Sequence, residues 1–258
     1  METILLDKKD ALLIIKLNRP ENLNAITTKM LSELNKAFSD AQKDESIRAI
    51  LLTGEGRGFC SGQDLKDIDN LENFSFYEHL VNNYNPLIIK MQSLEKPIIV
   101  GINGTCAGAG ISLALAGDIR ICKKSAKFVL AFSNIGLITD SGGSYFLVRM
   151  LGISKALELL WTNEIIDSQK ALELGIVNKV FEDEEFDSKL IEFSLNIANG
   201  PTKAYAISKR LYNRIYELNL NEVLELEAQY QEVLSKSEDF KEGIKAFLEK
   251  RKPQFKGK

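Results

Sequence analysis

Three short apolar runs, Leu12 to Leu17 (LLIIKL), Ala49 to Thr53 (AILLT) and Pro97 to Gly101 (PIIVG), constrain the chain more than any other feature. Each is too short for an independent helix and too continuously apolar for a strand with one wet face, so each reads as a buried strand. Helical patterns fall between them. Thr27 or Thr28 is placed to cap a helix running to about Lys43, with Leu31, Leu34, Ala37, Phe38 and Ala41 on one face. A second helix is expected around Tyr77 to Leu94, and Ile111 to Ala116 is again helical in character. Asp118 to Cys122 (DIRIC) is strand-like. Short apolar strands alternating with helices give an α/β layered domain.

From about Ser141 onward the pattern becomes mainly helical. Leu151 to Trp161, Ser168 to Leu174, Phe186 to Ala198, Thr202 to Glu217 and Asn221 to Ser235 carry a 3.6-residue apolar period, with one strand-like interruption at Gly175 to Phe181. Trp161, beside Leu157, Leu159 and Leu160, is expected in the core. The tail from Phe247 to Lys258 is strongly basic. These features divide the chain into a layered core over residues 1–198 and a helical region over 199–258, with no linker between them.

With 258 residues, 45% hydrophobic and 27% charged, the chain can bury a large core, and its net charge of −3 argues against nucleic acid as a partner. No apolar run reaches the ~20 residues that cross a bilayer, and the acidic residues near Met1 do not read as a secretory leader. Three widely spaced cysteines, Cys60, Cys106 and Cys122, suit neither a disulfide framework nor a zinc site. A soluble cytoplasmic protein is the expectation.

The glycine-rich loops invite four chemical readings. Gly58-Phe-Cys60-Ser-Gly62 has the spacing of a nucleophile elbow, but the only histidine, His79, falls in what reads as a surface helix with no third member. Cys60 is better read as a small buried residue. Gly108-Ala-Gly110 lacks the third glycine and the acidic partner of a dinucleotide site, and no G-K-[ST] follows any glycine. The remaining reading is geometric: two strand-to-helix loops that each place small residues before a helix start, where backbone N–H groups lack partners. Converging, they would form an oxyanion hole; otherwise they are tight turns.

The motifs also carry a resemblance. Leu17-Asn-Arg-Pro20 with Leu23-Asn24-Ala25, Gly58-Phe-Cys-Ser61-Gly-Gln63-Asp64-Leu65, Lys96-Pro97 with Gly101-Ile-Asn-Gly104, Ala107-Gly108-Ala109-Gly110 and Leu113-Ala-Leu-Ala-Gly-Asp118 resemble the crotonase (enoyl-CoA hydratase/isomerase) superfamily in order and spacing. Ile135-Gly136, Gly142-Gly143, Ala171 to Val177 and Phe247 to Arg251 match as well, so the resemblance covers nearly the whole chain. It implies a crotonase-like spiral of ββα units with a helical C-terminal region that packs between subunits of a trimer or a dimer of trimers. It implies an acyl-CoA thioester substrate, with coenzyme A as part of the substrate and no separate cofactor or metal. The backbone N–H groups of Gln63 and Ala109 are expected to hold the thioester oxygen, without need of the Gln63 side chain. Asn24, Ala25, Ser61, Asp64, Leu65, Gly108, Ser112, Phe132 and Lys250 are the expected substrate-binding positions. The basic tail is either a contact for the coenzyme A phosphates or a solvated charge run.

Departures from the family pattern point to the reaction. The two glutamates that the resemblance assigns to a hydratase are replaced by Ser112 and Phe132, while Asp140, in Thr139-Asp-Ser-Gly-Gly143, stands where hydratases usually carry glycine. An aspartate there resembles the dienoyl-CoA isomerases and, more closely, the ring-1,2-epoxyphenylacetyl-CoA isomerases of phenylacetate catabolism, which also share Phe59-Cys-Ser-Gly-Gln-Asp-Leu65 and Tyr84-Asn-Pro-Leu87. Read without the family, Asp140 is a turn or helix-capping residue; read with it, Asp140 is a proton shuttle for isomerisation. A hydratase with another base, and a non-catalytic acyl-CoA-binding member, are the alternatives. The acyl pocket is expected under Asp67 to Asn83, where Phe74, Phe76 and Tyr77 are either an aromatic lining or ordinary helix packing.

Overall fold

A computed structural model of the chain describes residues 1–68 and 72–258. Its centre is a six-stranded sheet in the order β1-β2-β3-β5-β7-β10. The hairpin of β1 (Ile4–Lys9) and β2 (Leu12–Leu17) is antiparallel, and β3 (Ala49–Gly54), β5 (Ile98–Ile102), β7 (Ile119–Lys123) and β10 (Lys179–Phe181) extend it in parallel. The apolar runs are continuous because both faces are covered. Leu13, Ile15 and Leu17 enter the main core, while Leu12, Ile14, Leu51 and Ile99 enter a second cluster with Phe186 and Leu190.

A smaller sheet, ordered β4-β6-β8-β9, is built from β4 (Gly58–Cys60), β6 (Thr105–Ala107), β8 (Lys127–Val129) and β9 (Ile166–Asp167). Each long strand β3, β5 and β7 runs into a three-residue strand of this sheet before the next helical segment, which is the ββα repeat. Helix α1 (Thr28–Lys43) is capped by the Thr27 hydroxyl and buries the expected residues plus Met30. The segment expected as one helix over 77–94 is α2 (Phe76–His79), a π-helical turn at Leu80–Tyr84 and α3 (Asn85–Ser93). Helix α4 (Ala109–Leu115) is buried along its whole length.

The helical half comprises α5 (Gly143–Leu151), α6 (Ile153–Thr162), α7 (Ser168–Glu173), α8 (Phe186–Ala198), α9 (Thr202–Arg214), α10 (Leu220–Ser235) and α11 (Glu238–Leu248). Helix α8 covers the outer face of the large sheet. Helix α9 is anchored by Lys209, whose ammonium donates to the Asp118 carboxylate at 3.0 Å and the Met91 carbonyl at 2.8 Å. Trp161 departs from expectation: α6 buries Ala156 and Leu159, and Trp161, on the opposite side, is 70% exposed.

Candidate active site

The site is built where β4 and β6 end and their loops touch. Ile26 pairs with the loop after β4: its N–H donates to the Gly62 carbonyl at 2.8 Å, and its carbonyl accepts the Asp64 N–H at 2.8 Å. In that parallel bridge the N–H of the residue between, Gln63, faces away from Ile26 and has no acceptor among the described residues. Ala109 is the first residue of α4, so its N–H is one of the donors that a helix start leaves unpaired. The loops meet closely. A Cβ at Gly62 (φ +96) would lie 3.3 Å from the Ala109 nitrogen and 3.1 Å from the Ala107 carbonyl oxygen. Gly62 is therefore required both by its backbone conformation and by its neighbour. Two unclaimed N–H donors on adjoining loops can hold a developing oxyanion.

Asp140 lies in the loop before α5, followed by two left-handed residues, Ser141 (φ 50) and Gly142 (φ 81). It does not cap the helix; the cap position is Gly142, with no side-chain cap. What fixes the loop is the Asp140 carbonyl, which accepts the Ser112 hydroxyl at 2.8 Å and the Gly143 N–H at 2.7 Å. Its carboxylate oxygen Oδ1 is buried without a hydrogen-bond partner among the described residues. Ile88 and Phe146 lie beside Gly142, two residues on. Burial raises the Asp140 carboxyl above its ordinary value, with the Ser141 hydroxyl acting in the opposite sense. A partly desolvated, backbone-held carboxylate of this kind suits proton transfer.

The remaining expected positions divide by role. Ser112 is 1% exposed and its hydroxyl donates to the Asp140 carbonyl, so it helps to hold the loop that carries Asp140. Asn24 is 0% exposed; its amide donates to the Glu55 and Gly58 carbonyls and its oxygen accepts the Arg19 N–H. It holds the loops rather than lining an open surface, and Ala25 beside it is also buried. Asp64 is paired with Arg19 at 2.9 Å and caps the short turn that begins at Leu65, whose side chain is exposed. Ser61 donates to the Asn22 carbonyl. Gly108 (φ +51) turns the chain into α4. Phe132 is buried in the main core, an apolar side chain at a position the hydratase pattern gives to glutamate. Lys250 is exposed just after α11, while Arg251 is held by Glu242 and Glu249. Of the segment expected over the acyl pocket, residues 69–71 lie outside the described residues.

Cys60 is buried and inert: burial pushes its thiol up to about 12. His79 ends the short helix α2, whose other residues are exposed, but its own side chain turns inward. It is 8% exposed and its Nε2 lies 3.2 Å from the Gln63 side-chain oxygen, which also accepts the Tyr84 hydroxyl at 2.6 Å. Sequence reasoning missed this cluster. Pro86, inside an otherwise helical run, was the available signal that the hydrogen-bond ladder breaks there.

A family model described as enoyl-CoA hydratase/isomerase matches residues 7–258. The chain is 38% identical to the 1,2-epoxyphenylacetyl-CoA isomerase of Escherichia coli K12, covering 100% of both chains. It is 33% identical to the trans-2-decenoyl-[acyl-carrier-protein] isomerase of Streptococcus mutans, covering 99% of this chain and 98% of that one. Among solved structures, an enoyl-CoA hydratase from Bacillus anthracis superposes with a TM-score of 0.93 at 31% identity, covering 100% of both chains.

Proposed function

The chain belongs to the enoyl-CoA hydratase/isomerase family, and from that premise we propose that it isomerises an acyl-CoA thioester through an enolate, with Asp140 as the proton shuttle. The observation that carries the reading is the pairing of a buried, unpartnered carboxylate oxygen on Asp140 with the lack of a second acid at either hydratase position. Ser112 is tied to the Asp140 carbonyl and Phe132 is in the core, so neither activates a water.

In this reading the N–H groups of Gln63 and Ala109 hold the thioester oxygen. Asp140 takes a proton from C2 of a 3-enoyl chain, and the electron pair delocalises onto that oxygen as a dienolate. Asp140 then returns the proton to C4, leaving the conjugated 2-enoyl thioester. Each oxyanion donor supplies about 3 kcal/mol to the transition state. The same relay would serve an epoxide of the kind in the name of the Escherichia coli relative, and no cofactor beyond the coenzyme A of the substrate takes part. We extend the reading to assembly as a trimer or a dimer of trimers, supported by apolar side chains left in water on and beside α6: Ile153, Trp161 and Ile165 are 66%, 70% and 63% exposed. No described helix is long and apolar enough to cross a membrane.

The test compares conversion of a 3-enoyl-CoA to its 2-enoyl isomer with hydration of crotonyl-CoA, in wild type and Asp140→Asn. Isomerisation reduced by about 10²-fold or more in the variant, with negligible hydration in both, is the expected result. Strong hydration that survives the substitution would remove Asp140 from the mechanism and favour the hydratase reading.

A further inference from the structure

Gln63 is read as contributing a backbone donor, and both its side-chain oxygen and its side-chain nitrogen are hydrogen-bonded as well. Its Oε1 accepts from the Tyr84 hydroxyl at 2.6 Å and from His79 Nε2 at 3.2 Å, while its Nε2 donates to the Asp64 carbonyl at 3.2 Å. The histidine is oriented in turn by Asn83, whose Nδ2 lies 3.3 Å from His79 Nδ1 and donates to the His79 carbonyl at 3.0 Å. Because that amide nitrogen is a donor, Nδ1 must accept and the ring proton must sit on Nε2, which therefore donates to Gln63. Tyr84 is 3% exposed and His79 8% exposed, so these are interior hydrogen bonds, which unlike surface ones do not exchange readily with water.

The backbone is shaped to make this contact. Residues five apart on an α-helix lie roughly 140° apart around the axis and cannot face a common atom. The chain between α2 and α3 instead makes a π-helical turn over Leu80–Tyr84, closed by the Asn85 N–H to the Leu80 carbonyl. The wider turn brings His79 and Tyr84 onto one face, with ring centroids 5.5 Å apart. A π turn is rare and often marks a functional site. Here it delivers two donors to one oxygen.

We propose that Tyr84 and His79 are positioning residues that clamp the Gln63 side chain and so fix the direction of its backbone N–H in the oxyanion hole. The inference rests on the reading of Gln63 and Ala109 as that hole. Directly before Gln63 stands Gly62, whose φ of +96 is one that glycine adopts at little steric cost. The bond from Ile26 to the Gly62 carbonyl restrains one face of the shared peptide, and the clamp restrains the residue on its other side. Loss of the clamp leaves the donor present but misaligned.

The experiment reads the bound carbonyl directly. Hexanoyl-CoA carrying ¹³C at the thioester carbon is bound to wild type, Tyr84→Phe, Gln63→Met and the double variant, and its C=O stretch is recorded by infrared difference spectroscopy. The expected result is a lowered frequency in wild type and a smaller lowering in each single variant, with no further reduction in the double variant. Isomerisation kcat falls about 10-fold in Tyr84→Phe while KM stays within about twofold, a part of the 10²–10³-fold that losing a whole oxyanion donor costs. His79→Gln, which retains a donor near the Nε2 position, keeps the lowered frequency, and His79→Leu loses it; this pair gives the answer if Tyr84→Phe does not fold. A wild-type lowering that persists undiminished in Tyr84→Phe and His79→Leu overturns the clamp and leaves the oxyanion hole standing. No lowering in wild type overturns the oxyanion reading and the clamp with it.

Discussion

Substituting Gly110 by alanine tests whether α4 places both halves of the chemistry. Gly110 packs against β4 so closely that a Cβ would lie 2.6 Å from the Cys60 carbonyl oxygen and 2.8 Å from the Cys60 Cβ. To restore contact near 3.4 Å the helix must recede by roughly 0.8 Å, because the opposing atoms are strand backbone in a close-packed core. Ala109, the proposed donor, is the preceding residue, and Ser112, which holds the Asp140 carbonyl, is two residues on. A shift of that size stretches an N–H···O contact from about 2.9 Å to beyond hydrogen-bonding range, which removes about 10²–10³-fold in kcat. Displacement of the Asp140 loop contributes up to a further 10²-fold or so. Overpacking should also lower stability by about 1–3 kcal/mol, seen as a reduced melting temperature. Gly108→Ala is the matched control: its φ is +51, but its added Cβ would meet nothing nearer than 3.7 Å. Its strain is in the backbone alone, since φ +51 with ψ −130 is open to glycine and costs alanine about 1–3 kcal/mol. Steady-state isomerisation and thermal unfolding of both variants suffice. If Gly110→Ala retains kcat within threefold or so of Gly108→Ala, α4 does not couple donor and base and the reasoning fails.

Three further outcomes are expected. Ser112→Glu should abolish isomerisation without creating crotonyl-CoA hydration, since a Cβ on Gly143 would already sit 2.6 Å from the Ser112 hydroxyl and a longer side chain has no room; hydratase activity in this variant would refute that. Asp140→Asn should melt higher than wild type at about pH 7 and show no advantage at about pH 3. The sign follows from a carboxyl raised by burial above 3.8: its stabilising contribution is complete below the unfolded value and is lost as pH rises through the folded one. Equal melting temperatures at both pH values would contradict it. Lys209→Met leaves the half-buried Asp118 without its ammonium and should cost about 1.5–3 kcal/mol, partly recovered in the Lys209→Met/Asp118→Asn double variant; an unchanged melting temperature would show that α9 is held by other contacts.

The elements legible in the sequence are those whose signal is local. Helix α1 carries its own cap and apolar stripe, and α8 runs over the same residues, 186–198, that its periodicity marks. Strands β2, β3 and β5 announce themselves by doubly covered faces. The small sheet does not, because three-residue strands such as Gly58–Cys60 and Thr105–Ala107 have no period and form only where tertiary packing brings them together. Strand β1 alternates too little to be read, since most of its residues are exposed. At Trp161 the apolar cluster was legible but its orientation was not: a helix with four neighbouring large residues gives no local sign of which edge meets the core. Asp140 and the two amides came from motif resemblance. The His79–Gln63–Tyr84 cluster needs a π turn, and a periodicity of 3.6 residues assigns His79 and Tyr84 to different faces.

Helix α4 also acts as a gauge. From Ala109, which presents its amide, to Ser112, which grips the Asp140 carbonyl, is three residues of buried helix, or about 4.5 Å of rise. In the proposed mechanism the offset between the donor amide and the point that anchors the Asp140 loop is thus set by helical pitch. Substitutions elsewhere in the pocket can then change which acyl group is admitted while the reacting atoms keep their spacing. Tolerance to substrate drift and intolerance to a single methyl group at Gly110 are, on this account, two consequences of the same rigid part.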